Sequence, residues 1–242
     1  MLTGCLRMHV IWCNDTMMGV FIAILVILAW VAHLAYSLLY VEVSALNPWL
    51  YVHVLIQTHL FTGLFITGHD GMHGTIKPSH GATNKVIGTM ASFLYAGLSF
   101  RRLKKNHQKH HNSPGTASDP DYCERSQNFF IWYFTFMWRY LTIWQILIMA
   151  AMFNVLSFWI SEVSLIVLWI VPAFLSTFQM FYFGVYAPHR LPHQGDMMPY
   201  RSRTLQRNHL LAFLSCWFFG YHYEHHQSPG TPWWKLYQKK IH

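Results

Sequence analysis

The chain has 242 residues, of which 53% are hydrophobic and only 11% charged, with a formal net charge of +8. Its apolar residues gather in blocks instead of recurring at amphipathic spacing, which excludes an ordinary soluble domain and marks an integral membrane protein. The basic residues lie around those blocks, a distribution that argues against a nucleic-acid partner and for contact with anionic lipid headgroups.

The first predicted element, residues 17–40 (MMGVFIAILVILAWVAHLAYSLLY), carries no charge. As a helix it reaches about 36 Å, more than a hydrocarbon core of about 30 Å. A signal peptide is the competing reading, but the run is too long and no small-residue cleavage site follows it. Further spans are expected at 48–68, at about 139–156 and at 163–187, while 86–98 and 209–221 are too short to cross and are expected to be interfacial. The expected fold is an all-α integral membrane protein with four transmembrane helices, short interfacial helices and a cytoplasmic histidine-rich cap. It forms one domain over residues 1–242, without repeats or low-complexity linkers.

Loop charge orients this topology. The short connections 41–47 (VEVSALN) and 157–162 (SFWISE) contain no Lys or Arg, and all 17 basic residues fall in segments that four helices place on one face. By the positive-inside rule that face is expected to be cytoplasmic and to hold both termini.

Eight histidines lie in three boxes on the same face: His69 and His73 in HDGMH, His107, His110 and His111 in HQKHH, and His222, His225 and His226 in HYEHH. Spacings of three and four residues put imidazoles on one face of a helical turn. A single catalytic zinc needs only three protein ligands, so two metals are expected. HDGMH alone also resembles the zinc-protease helix, with Asp in place of the Glu base. Imidazole suits Zn, Cu, Fe and Ni, whereas di-iron sites of soluble bundles use Glu and Glu-x-x-His. Because zinc cannot change oxidation state, a dinuclear histidine site beside a membrane points to iron and O2, with copper left open by the spacing. Cys5, Cys13, Cys123 and Cys216 form no C-x-x-C, haem-attachment or iron–sulfur pattern and read as reduced thiols. An O2-activating enzyme without its own relay takes electrons from a separate donor, and the basic face suits an acidic ferredoxin-like protein.

The runs TGLFITGHDGMHGT (62–75), NHQKHHNSPGTASDPDY (106–122), FGVYAPHR (183–190) and GYHYEHHQSPGTPWW (220–234) resemble the bacterial β-carotene ketolases. These are carotenoid 4-oxygenases of the membrane-bound fatty acid desaturase and hydroxylase superfamily. The boxes alone indicate only the superfamily; their flanks are more specific, and one departure is Gly71 where that family usually has Ala. The resemblance implies two iron ions, O2 as co-substrate and external electrons. It implies a carotenoid substrate drawn from the bilayer, whose β-ionone ring is oxidised at C4 by two hydroxylations and loss of water, taking β-carotene through echinenone to canthaxanthin. A fatty-acyl desaturase or alkane hydroxylase would share the boxes but not the flanks. An intramembrane zinc hydrolase would share the histidines, as would a metal transporter, although a transporter places polar groups near the midplane.

Single residues carry further expectations. His189 in APHR is the expected ninth ligand, with a loop histidine bonded to a carbonyl as the alternative; His193, beyond Pro192, is its competitor. His59 stands about 15 Å along the helix from His69, too far to share its metal, and reads as a core histidine or part of the substrate tunnel. His53 also reads as core, and His33, His80, His209 and His242 join no constellation. Asp70 and Asp119 are expected to serve catalysis by accepting the outer N–H of a ligating imidazole, with Asp121 and Glu224 in the same supporting role. The alternatives are a turn around Pro120 for Asp119 and Asp121 and a solvated helix face for Glu224. Trp233 and Trp234 are expected in an interfacial aromatic belt.

Overall fold

The computed structural model describes residues 2–205 and 208–239, with side chains from residue 17 onward, so the side chains of Cys5, Cys13 and His242 lie outside it. Among the described residues every regular element is helical. Helix α1 (Leu2–Tyr40) is followed by a short loop in which Asn47 accepts the N–H of Trp49 and Pro48 opens α2 (Pro48–His73). An Asn cap with Pro at the first helical position pre-forms that start. Trp30 of α1 packs edge-on against Phe61 of α2 at 5.2 Å, inside a core that includes Leu64, Leu165 and Trp169.

Helix α3 (Gly81–Ala96) lies along the second half of α2. A Cβ at Gly71 would stand 2.9 Å from the Asn84 carbonyl oxygen and 3.0 Å from Gly88 Cα, so the two backbones touch. Small residues allow this approach in membrane helix pairs. On its other side Gly88 leaves the space filled by the buried ring of Phe100, the first residue of α4 (Phe100–Asn112). That contact seats the helix carrying HQKHH.

Helices α5 (Phe129–Tyr140) and α6 (Ile143–Leu156) meet at 87°. Leu141 is extended and Thr142 caps α6 by accepting the Gln145 N–H. The straight span expected over 139–156 is therefore broken: its core, α6, has 14 residues, about 21 Å of helix, short of the hydrocarbon thickness. Among the described residues three helices are long and apolar enough to cross a membrane, or four if the bent pair counts as one broken span.

Helix α7 (Glu162–His189) is continuous but contains π turns at Ile166–Ile170 and Tyr182–Tyr186. Each closely precedes a proline, Pro172 or Pro188, whose missing N–H breaks the ordinary ladder, and the wider turn accommodates the break. The short helices α8 (His209–Cys216) and α9 (His222–Gln227) and a 3-10 turn at Trp233–Lys239 complete the cap. The predicted span 48–68 runs on to His73, so the first box occupies the last turn of α2 itself. Trp233 is not in an interfacial belt: it is buried against Trp217 and Phe218, because the chain folds back over α2.

Gly88→Val should displace Phe100 and lower stability by about 1–3 kcal/mol, the usual cost of overpacking. Gly81, with open space beside it, should accept Val with a much smaller effect. Thermal unfolding of the two variants in detergent checks the contrast.

Candidate metal centre

The three boxes and His189 converge. His69 and His73 come from the end of α2, His107, His110 and His111 from α4, His189 from the last residue of α7, and His222, His225 and His226 from α9. Their nitrogens form two groups, each with donors within 4.8 Å of one another: His69, His73, His107, His111 and His225 in one, His110, His189, His222 and His226 in the other. The helical period explains the division. Residues four apart share a group, as in His69 with His73, His107 with His111 and His222 with His226; the residue at the third position, His110 or His225, turns to the other group.

Both groups have the dimensions of a metal shell. Metal–nitrogen bonds of about 2.0–2.1 Å put opposite ligands about 4.2 Å apart, so either group fits around one ion. His73 Nε2 lies 2.6 Å from His107 Nε2, and His111 Nε2 lies 2.9 Å from His225 Nε2. In the second group His226 Nε2 is 3.1 Å from His110 Nε2 and 3.2 Å from His222 Nε2. Neither ring nitrogen of His69, nor Nε2 of His189, has a hydrogen-bond partner although both residues are buried. An orphaned buried nitrogen costs about 1–3 kcal/mol, a cost that a bound cation removes. The donors are all imidazoles, a set compatible with iron.

The surroundings keep most of these imidazoles neutral. Burial first, then the neighbouring histidines, hold His107, His222, His225 and His226 well below the ordinary histidine value and push His111 down to about 2. His110 is the exception: burial alone would lower it, but the carboxylate of Asp119 raises it.

His110 Nδ1–H donates to Asp119 Oδ2 at 2.9 Å, which leaves Nε2 facing the second group. Asp119 also accepts N–H bonds from Gly115 and Asp121, each at 2.8 Å. The turn around Pro120 and the support of an imidazole are therefore the same structure. His189 Nδ1–H donates to the Arg201 carbonyl at 2.9 Å, and its free Nε2 belongs to the second group. The carbonyl bond expected as the alternative to ligation is therefore made by one ring nitrogen while the other stays free.

The other candidates stand differently. Asp70 Oδ1 is 3.9 Å from His69 Nδ1, too far for a hydrogen bond, while Oδ2 accepts the backbone N–H of Trp233 at 3.3 Å and ties the C-terminal segment to α2. Asp121 accepts the hydroxyl of Tyr140 and lies 3.8 Å from His110 Nδ1; burial, opposed by His110 and reinforced by Asp119, raises its carboxyl to about 6. Glu224 is buried, not solvated, and accepts the Thr204 hydroxyl at 2.5 Å. His193 joins neither group, and its Nε2–H donates to the His189 carbonyl at 2.9 Å. His59 stacks on Trp217 at 5.0 Å and is absent from the lining of the cavity described below.

An apolar cavity of about 530 Å³ reaches His69 and His107 of the first group and His110 and His222 of the second. Phe65, Tyr95, Tyr133, Phe136 and Phe219 contribute to its wall. The tyrosine hydroxyls are paired within the protein, Tyr95 with Ser176 at 2.9 Å and Tyr133 with Thr177 at 2.5 Å. The wall thus presents mainly hydrocarbon and aromatic surface. At the other end Phe134, Trp138, Leu141, Ile146 and Phe174 are exposed on the apolar exterior.

Asp119→Asn should lower metal content or turnover by about 10- to 100-fold, as removal of an imidazole-orienting carboxylate does elsewhere. His189→Ala should deplete the metal of the second group, whereas His193→Ala should retain it; elemental analysis of the purified variants decides between the two histidines.

The fatty acid desaturase family matches the chain over residues 46–144 and 137–240. The chain is 34% identical to a β-carotene 4-ketolase of Protosiphon botryoides, covering 90% of this chain and 62% of that protein. It is 35% identical to a zeaxanthin 4-ketolase of Chlamydomonas reinhardtii, covering 90% and 52%. With a β-carotene ketolase of Paracoccus sp. (strain PC1) it shares 33% identity over 92% of each chain. The chain thus spans about half to three fifths of the length of the Protosiphon and Chlamydomonas relatives, and nearly all of the Paracoccus one. No solved structure matches it. The chain belongs to the fatty acid desaturase family, grouped with the β-carotene ketolases.

Proposed function

We propose that this chain is a carotenoid 4-ketolase, a membrane oxygenase that converts the C4 methylene of a β-ionone ring to a ketone with two irons and O2. The observation that carries this reading is the apolar, aromatic-walled cavity that ends on histidines of both groups. A long polyene has no polar group to recognise along its length, so orientation falls to the shape of such a wall. The relatives are named for β-carotene and for zeaxanthin, both with a C4 methylene beside the ring double bond. The substrate class is therefore carotenoids with β-type rings.

When bound, the two irons supply the oxidation of an allylic C–H bond by O2. The chain's own work is placement and exclusion of water. Asp119 and the Arg201 carbonyl hold the proton on Nδ1 of His110 and His189 and leave each Nε2 free for a metal. The cavity wall holds the ring with C4 toward the histidines and keeps bulk water from the reacting carbon. Two hydroxylations at one carbon give a gem-diol, which loses water to leave the ketone.

In the membrane, we read the bent pair α5 and α6 as the third of four crossings. Helix α7 has 28 residues, about 42 Å, and ends at the histidines, so its start lies at the far end of the bundle and the chain must travel there from α4. The positive-inside distribution supports placing the histidine end and both termini in the cytoplasm, with residues 1–242 as one domain. Four buried or scattered thiols offer no relay, so electrons come from an external carrier such as a ferredoxin.

Expression in cells that accumulate β-carotene should turn them from orange to red, with echinenone and canthaxanthin as products. The purified protein should carry about two irons per chain. Hydroxylated or unchanged carotenoid, or a single zinc with no O2 dependence, would overturn the reading.

A further inference from the structure

We propose that the outward face of α4 is the docking surface for an acidic one-electron carrier protein; the proposal rests on the oxygenase reading above. Arg101, Lys105 and Lys109 are exposed and spaced four residues apart, so they form one stripe along the helix. At about 100° per residue the stripe lies opposite Leu103, His107 and His110. None of its three cations makes a hydrogen bond or ion pair among the described residues. Arg102, beside it, is already engaged, donating from Nη2 to the Arg139 carbonyl at 2.8 Å.

The distribution of acids leaves this charge unopposed. Asp70, Asp119, Asp121 and Glu224 are buried; Glu42 lies in the loop between α1 and α2, and Glu162 opens α7 at the end opposite His189. Among the acids with described side chains only Glu124 and Asp196 are left exposed at the histidine end.

The same helix supplies His107, His110 and His111, donors to both metal groups. A carrier seated on the stripe would be separated from those imidazoles by one helix, about 10 Å across, and the main chain links Lys109 directly to His110. A membrane surface is the other acidic partner that a cationic stripe could meet. A helix lying in lipid immerses apolar side chains, but the apolar residues of α4, Phe100 and Leu103, are both buried in the protein. The outward face therefore suits a water-soluble acidic partner. Each hydroxylation consumes one O2, two electrons and two protons, placing one oxygen atom in the C–H bond and releasing the other as water. A one-electron carrier must therefore be oxidised at this surface twice per oxygen atom inserted.

The test uses the full-length protein in nanodiscs of uncharged lipid, with a plant-type [2Fe–2S] ferredoxin and its NADPH reductase as the probe. The triple variant R101E/K105E/K109E should lose at least tenfold in kcat/KM for ferredoxin and lose its sensitivity to salt, the usual scale for electrostatic steering. A ferredoxin with surface carboxylates exchanged for lysines should restore much of the loss. Enzyme reduced beforehand with dithionite, freed of excess reductant and given O2, should yield the same single-turnover product from variant and wild type. Undiminished ferredoxin-driven turnover, loss of the single-turnover yield as well, or rates that follow the fraction of anionic lipid instead of ferredoxin would each overturn the proposal. Failure of the prereduced wild type to give O2-dependent product would instead sink the oxygenase reading itself.

Discussion

Nine imidazoles packed at one end of a helical bundle, mostly buried and mostly neutral, cannot satisfy one another, and the cap is organised around this constraint. Facing nitrogens such as those of His73 and His107, 2.6 Å apart, can share at most one proton, and His69 has no partner at either nitrogen. Outer nitrogens are assigned where the protein can do so, by the carboxylate of Asp119 and the carbonyl of Arg201. The inner nitrogens face one another in two groups that could each hold a metal ion. With each orphan worth about 1–3 kcal/mol, a bound metal would couple its own affinity to the stability of the cap.

Bringing those rings together places demands on distant backbone. Helix α4 reaches its position because Gly88 leaves room for Phe100, and α3 carries Gly88 there because Gly71 lets two backbones touch. Helix α7 delivers His189 at its last turn through a π turn at Tyr182–Tyr186. Within that turn Gly184 admits the ring of Phe219, which packs edge-on to His69 at 4.9 Å. Asp70 closes the arrangement by holding the Trp233 N–H, so the segment following the third box is anchored on the helix that carries the first. The same packing leaves the cavity, bounded by α2, α5, α6 and α7 and open to both histidine groups.

Much of the site was legible because helical spacing acts within a few residues. A histidine four positions from another shares its group and one three positions away faces the other group, so the boxes already contain a division into two sets. Asp119 was legible for a similar reason, lying in a tight turn shortly after its histidine. Asp70 and Glu224 were not, although both adjoin box histidines. Their carboxylates turn toward Trp233 and Thr204, and the direction of a side chain depends on which remote segment packs beside it. The break between α5 and α6 was equally hidden, since an apolar run carries the same hydropathy whether it is straight or bent by 87°.

Composition, block hydropathy and histidine spacing, each a property of neighbouring residues, determined by themselves that this is a helical membrane protein with histidine-rich helical turns whose spacing suits metal ligation. The desaturase-family flanks narrowed the chemistry further. Only the tertiary structure decided which of His189 and His193 turns a nitrogen into the second group, because the choice depends on the Arg201 carbonyl twelve positions along the chain and on a π turn inside α7. It alone also put an unpaired basic stripe behind the histidines of α4 and an apolar cavity before them. These are relations between helices far apart in sequence, fixed by close packing and by the need to pair every buried polar group.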